Sequence, residues 1–126
     1  MKKIIFTEKA PAPIGPYSQA ILSDNTLYVS GQIALNPENG ELINNTIEAQ
    51  THQVMKNLKA VLEAADMDFS NVVKATIFIT DMDDFANINT VYGSYFPKDW
   101  APARETVQVS VLPKNVDVEI SVIAVK

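Results

Sequence analysis

The chain has no cysteine among its 126 residues. Disulfides, thiolate metal sites and a cysteine nucleophile are therefore excluded, and their absence fits a reducing compartment. Histidine occurs once, at His52, so a histidine metal cluster is excluded. Glycine occurs four times, and none of the four forms a phosphate loop, a dinucleotide fingerprint or a serine nucleophile elbow. Basic charge is scarce too. Ten Lys and Arg stand against fifteen Asp and Glu, for a net charge of -5. The nearest thing to a basic cluster is Lys56 with Lys59, which argues against a nucleic-acid partner. The acidic run "DMDD" at 81–84 lacks the rest of a calcium loop. No apolar run approaches a membrane span, and the run in "MKKIIFTEKAP" is too short for a secretion signal. A cytoplasmic protein with no membrane partner is the expectation.

What is present describes one soluble globular domain over residues 1–126. Its 47% hydrophobic and 20% charged residues suit a chain that folds on its own core. "KIIFTE" (3–8) reads as a strand, and the three prolines of "APAPIGPYSQA" make a stiff loop. Strands are expected at 18–23 and 26–35, separated by the turn "SDNT". Strict alternation over 26–35 would place Leu27, Val29, Gly31 and Ile33 on one face. Gly31 inside that strand points to a bulge or to close approach by another group. Asn45, with Glu48 three residues on, predicts the start of a helix. Its apolar stripe then runs from Ile47 to Ala65. A strand at 71–80 and a helix at 81–96 follow. Strands at 103–112 and 116–125 close the chain across the turn "PKN". The order β-β-β-α-β-α-β-β predicts an α+β fold with both helices on one face of a sheet of about six strands.

Polar residues at apolar positions are the informative departures. Asn89 falls within the helical stripe of Phe85, Tyr92 and Phe96. A buried amide there needs partners, either nearby backbone or a functional group. Along 103–112, Arg104, Thr106, Gln108 and Ser110 share a face opposite three valines. Along 116–125, Asp117, Glu119 and Ser121 do the same. If the short turn makes these strands a hairpin, the two polar rows line one sheet surface. The helices would then cover the Val/Ile surface, and the polar one would face water or a second subunit. Tyr17, after Pro16 in a rigid loop, either caps the core or walls a pocket. His52, on the polar side of the first helix, reads as surface.

"APAPIGPYSQA", "LYVSGQIALNPENGEL", "DMDDFANINTVYGSYF" and "APARETVQVSVLPKNVDVEISVIAV" together resemble the RidA (YjgF) family over essentially the whole chain. The resemblance implies a chorismate-mutase-like α+β fold and a homotrimer with a central barrel and clefts between subunits. It implies hydrolysis of 2-iminobutanoate and 2-iminopropanoate, reactive products of pyridoxal-phosphate enzymes, to 2-oxo acids and ammonia. By correspondence of motif it points to Arg104 in "PAR" and Glu119 in "VEI" as catalytic. Tyr17 in "GPY", Ser30 and Gly31 in "SGQ" and Asn89 in "FANIN" join Arg104 as substrate-binding residues, and the Thr106 hydroxyl, where the chain departs from the family, is placed to hydrogen-bond the same ligand. The family commonly has a small residue and then cysteine after the arginine. Here Glu105 and Thr106 stand there, so no covalent cysteine step is required.

The residue types suit that chemistry. Arginine's planar fork pairs both oxygens of a carboxylate. Glu119 would orient a water and accept its proton. No metal or cofactor is called for. The alternative from another class is a regulatory protein that binds a carboxylate metabolite in the same cleft without turnover. In that case Arg104 would matter and Glu119 would not.

Overall fold

The computed structural model describes all residues 1–126. Six strands form one sheet: β1 (Lys2–Ile5), β2 (Ala20–Ser23), β3 (Thr26–Gln32), β4 (Val72–Ile79), β5 (Ala103–Gln108) and β6 (Val118–Val125). Two helices, α1 (Ile47–Ala64) and α2 (Phe85–Gly93), cover one face of it. The expected α+β class, element order and helix placement are all observed.

Local chemistry sets the joints. Asp24 and Asn25 close the β2–β3 hairpin, with Asp24 at a φ of 52°; a two-residue hairpin turn requires that left-handed geometry. The cap of α1 lies one residue beyond the expected Asn45. Thr46 accepts a hydrogen bond from the Ala49 amide at 3.0 Å. Asn and Thr both cap well, and the sequence pattern alone does not fix the register. On α1, Val54, Met55, Leu58, Val61 and Leu62 are fully buried. Each contributes about 1.5–3 kcal/mol of hydrophobic stabilisation, so packing rather than helix propensity holds α1. Buried Asn57 donates to the carbonyls of Ile33 and Leu35 at 3.0 and 2.9 Å, tying α1 to the segment after β3.

The sheet order is β1-β2-β3-β6-β4-β5. This corrects the expected hairpin between the last two strands. β5 pairs with β4 in parallel, whereas β6 lies between β3 and β4, antiparallel to both. The physical reason is the α2 crossover. A strand returning through a helix lies parallel to its predecessor, which leaves β5 at an edge, and β6 fills the slot on the other side of β4.

Register across β4 then decides which side chains share a face. Arg104 stands opposite Ala75, which stands opposite Val122. Thr106, Ile77 and Ile120 form the next such row. These rows face the helices. Glu105 aligns with Thr76 and Ser121, and Val107 with Phe78 and Glu119, on the open face. The expectation that the helices take the valine side therefore fails for β5, whose Val107 is exposed. It holds for β6, whose Val118, Ile120 and Val122 are buried.

The proline-rich loop is held by one amide. Gln19, only 2% exposed, accepts from the Thr7 amide at 2.7 Å and donates to the carbonyls of Thr7 and Pro11 at 3.0 and 2.9 Å. Gln19→Ala leaves those partly buried backbone groups without this partner. Urea denaturation at fixed protein concentration should show a loss of about 1–3 kcal/mol, the usual effect of orphaning such groups.

Candidate functional site

Arg104 enters from the edge strand β5 and reaches α2. Its Nη1 donates to Asn89 Oδ1 at 2.7 Å. Arginine only donates, so the orientation of the Asn89 amide is fixed by chemistry. The guanidinium carbon lies 5.6 Å from the Phe85 ring centre and 5.2 Å from that of Tyr92. Both are cation–π distances. Phe85, Asn89 and Tyr92 lie at i, i+4 and i+7 on α2, a spacing that places them on one helix face. The amide inside the apolar stripe is thus explained: Asn89 serves the arginine.

Arg104 is half-buried, yet no carboxylate pairs with it; the two ion pairs of the chain involve Lys74 and the N-terminus. One of its five N–H groups is occupied by Asn89. Two buried hydroxyls on the same side, those of Tyr92 and Thr106, have no hydrogen-bond partner. Burial pushes the Tyr92 phenol up to about 12, while the nearby Arg104 charge pulls it down. At neutral pH it is a neutral hydroxyl and not a base.

Glu119 lies elsewhere. It points onto the open face, in the row of Phe78 and Val107. The pairing of β3 with β6 shifts between Val29 and Gln32. The expected bulge is therefore present, and it turns Gly31 away from the face of Leu27 and Val29. A Cβ added at Gly31 would sit 2.8 Å from Glu119 Cδ and 3.0 Å from its Cγ. The close approach read from the sequence is thus that of the Glu119 side chain. Burial raises the Glu119 carboxyl above its ordinary value.

The Tyr17 loop flanks the same face. Ser30 Oγ donates to the Ser18 carbonyl at 2.6 Å, and the Ser30 amide donates to Gln19 O at 2.9 Å. Ser30 thereby braces the loop that carries Tyr17. A hollow of about 410 Å³ is lined by Tyr17, Ser18, Ile21, Tyr28 and Ser30, among others. Tyr17 itself is 51% exposed.

The seven expected site residues thus fall into two groups on opposite faces of one sheet. Arg104, Asn89 and Thr106 are on the helix side. Glu119, Gly31, Ser30 and Tyr17 are on the open side. The hairpin reading had placed Arg104 beside Glu119; β4 stands between their strands, and the intervening register sends them to opposite sides. Phe85 and Tyr92, read from the sequence only as apolar stripe, are the neighbours that reading missed. Their common spacing with Asn89 was the available signal. Glu105 points away from Arg104, as alternation requires. Its carboxylate accepts from Thr76 Oγ1 at 3.0 Å and pairs with Lys74 at 3.2 Å. Outside both groups, exposed His52 is not bare surface: its Nδ1 lies 2.8 Å from the Tyr95 hydroxyl.

The raised Glu119 pKa fixes a sign. Burial disfavours the ionised form, so this carboxyl weakens the fold as pH rises through its native value. Below the ordinary value of 4.5 it is protonated in both states and contributes nothing of this kind. Glu119→Gln should therefore raise the denaturation midpoint at pH 7, and the gain should vanish near pH 4. A gain of equal size at both pH values would remove burial of the charge as its cause.

A RutC family protein of Pyrococcus horikoshii is 52% identical over 126 residues, covering 100% of this chain and 99% of that protein. The 2-iminobutanoate/2-iminopropanoate deaminase of Bos taurus is 48% identical over 126 residues, 100% of this chain and 91% of the relative. The crystal structure of Escherichia coli TdcF with bound serine superposes with a TM-score of 0.93 at 42% identity, covering 98% of each chain. Residues 7–126 match the family model described as endoribonuclease L-PSP, and the chain belongs to that family, the YjgF/RidA family.

Proposed function

We propose that the protein hydrolyses small 2-imino acids, 2-iminobutanoate and 2-iminopropanoate, to 2-oxo acids and ammonia. The observation that carries this reading is a half-buried guanidinium with no carboxylate of its own chain beside it. A charge taken partly out of water calls for a counter-charge. A ligand carboxylate supplies one, in the bidentate geometry that arginine favours.

The ligand then bridges two copies of the chain. Arg104 and Glu119 lie on opposite faces of one sheet, so a single subunit does not bring both to one small molecule. A second copy laid against the open face does. That face is suited to cover: Tyr28 and Val107 are exposed there, with Phe78 and Ile123 half-buried beside them. A homotrimer, with the sheets forming a central barrel and a site at each interface, closes the arrangement without leaving an unmatched surface.

In such a site Arg104 holds the carboxylate and sets the adjacent C=N carbon in place. Glu119 of the neighbouring copy takes a proton from water as the water oxygen bonds to that carbon. The imine reacts in its protonated form, so the C=N electron pair moves to nitrogen and leaves a neutral amine; Glu119 then returns its proton to that nitrogen and takes up the hydroxyl proton as the C–N bond breaks. The carbinolamine thereby collapses with loss of ammonia, and the C–O bond becomes the carbonyl of the 2-oxo acid. The raised pKa of Glu119 makes it a better base than an exposed carboxylate. Gly31 leaves room beside it, and Tyr17 forms a wall. Thr106 keeps a hydroxyl near the carboxylate. A protonated imine is already electrophilic, so positioning and proton transfer through one carboxyl suffice. No resident metal or cofactor enters these steps.

Arg104→Ala should lower kcat/KM by roughly 30- to 5,000-fold, the equivalent of about 2–5 kcal/mol for a desolvated charge partner. Glu119→Gln should lower kcat more than it weakens binding of 2-oxobutanoate. The deciding measurement is ammonia release from freshly generated 2-iminopropanoate by the two variants, singly and after co-refolding. Any mixed ring of the two has one interface at which wild-type Arg104 and wild-type Glu119 meet, so activity should return on mixing. Two inactive variants that assemble into mixed rings and stay inactive would reject the shared site.

A further inference from the structure

We propose that Phe85 and Tyr92 are positioning residues: together they form an aromatic clamp that aims the Arg104 guanidinium at the ligand. This inference rests on the carboxylate-binding reading above. Seven residues of helix span about 10.5 Å. Guanidinium distances of 5.6 and 5.2 Å to the two rings are consistent with a cation resting between them. Asn89, between the two rings in sequence, takes one N–H. The remaining N–H groups have no protein acceptor and stay available to a ligand.

The clamp is itself fixed. The Tyr92 ring packs against Phe96 with centres 4.9 Å apart, and Phe96 packs against Phe69 at 5.3 Å. Tyr92 is 5% exposed, so this wall does not move with solvent. Arginine at a strand edge otherwise samples many rotamers, and ordering them on binding would weaken affinity. A guanidinium already held by two rings and an amide loses little further freedom when the carboxylate arrives. The Tyr92 hydroxyl takes no part in the clamp: it is buried and unpartnered, and only its ring faces the cation.

Because the clamp acts alike on bound ligand and transition state, its loss should raise KM and leave kcat nearly unchanged. The test compares Phe85→Leu, Tyr92→Leu and Tyr92→Phe. Readouts are calorimetric Kd for 2-oxobutanoate and steady-state ammonia release. Each leucine variant should raise Kd and KM by roughly 3- to 30-fold, the range expected for a partly desolvated cation–π contact. Tyr92→Phe keeps the ring and should recover wild-type affinity. Phe85 is only half-buried, so Phe85→Leu keeps the test open even if Tyr92→Leu does not fold. An unchanged Kd in Phe85→Leu overturns the clamp. So does a rise in Kd as large in Tyr92→Phe as in Tyr92→Leu, which would assign the effect to the hydroxyl. A wild-type protein that binds 2-oxobutanoate but releases no ammonia rejects hydrolysis alone, and Kd still decides the clamp. A wild-type protein that binds no carboxylate rejects both.

Discussion

A cation drawn halfway out of water without a counter-charge is the constraint around which this fold is arranged. An arginine side chain is a permanent cation. It cannot escape the penalty of burial by losing a proton, as a lysine can. The fold answers with neutral partners only: one amide oxygen and two ring faces, all from α2. Such partners hold the guanidinium in place without neutralising it. A carboxylate from the same chain would have been the more stabilising neighbour and would have closed the position to any anion. Its absence is what leaves the position open to the proposed ligand carboxylate.

The second group of residues obeys the opposite logic. Glu119 is raised by burial and has no cation beside it. Gly31 is what allows its side chain to lie where it does. The bulge at Ser30 and Gly31 turns the backbone so that no side chain occupies the space taken by the Glu119 carboxyl. Ser30 spends its hydroxyl on the Ser18 carbonyl. Its contribution on this chain is thus to fix the Tyr17 loop, with its oxygen lone pairs still free to accept. One group is an uncompensated cation and the other a carboxyl inclined to keep its proton. Apart, each is mildly unfavourable. In the proposed shared site a carboxylate ligand would satisfy the first, and a water losing its proton would use the second.

Much of this was legible in the sequence. The alternation of periods two and 3.6 gave the element order, and the glycine inside β3 marked both the bulge and the close approach. Asn89 announced itself as an amide in an apolar stripe. The strand order did not follow, because a short polar turn such as "PKN" looks the same whether the chain folds back on the preceding strand or steps across it. Only the pairing with β4 distinguishes the two cases, and that pairing is a long-range property. The consequence was large: a single intervening strand moved Arg104 from the face of Glu119 to the face of Ile120. Phe85 and Tyr92 were visible at the correct spacing but read as core. Aromatic side chains on a helix give no sign of whether the group they cover is apolar or charged.

Position 105 places a carboxylate next to Arg104 in the chain. Alternation sends Glu105 to the open face, where the proposed neighbouring copy would lie. A bare carboxylate there would be repeated at every subunit and would oppose association. Thr76 and Lys74 take up that charge within the same chain, and their hydrogen bonds hold the carboxyl below its ordinary pKa. The group would therefore meet the proposed interface as a compensated pair. The same pair leaves Arg104 untouched, because it stands on the other side of the sheet. A carboxylate adjacent to Arg104 in sequence is thus separated from it by the full thickness of a β-sheet.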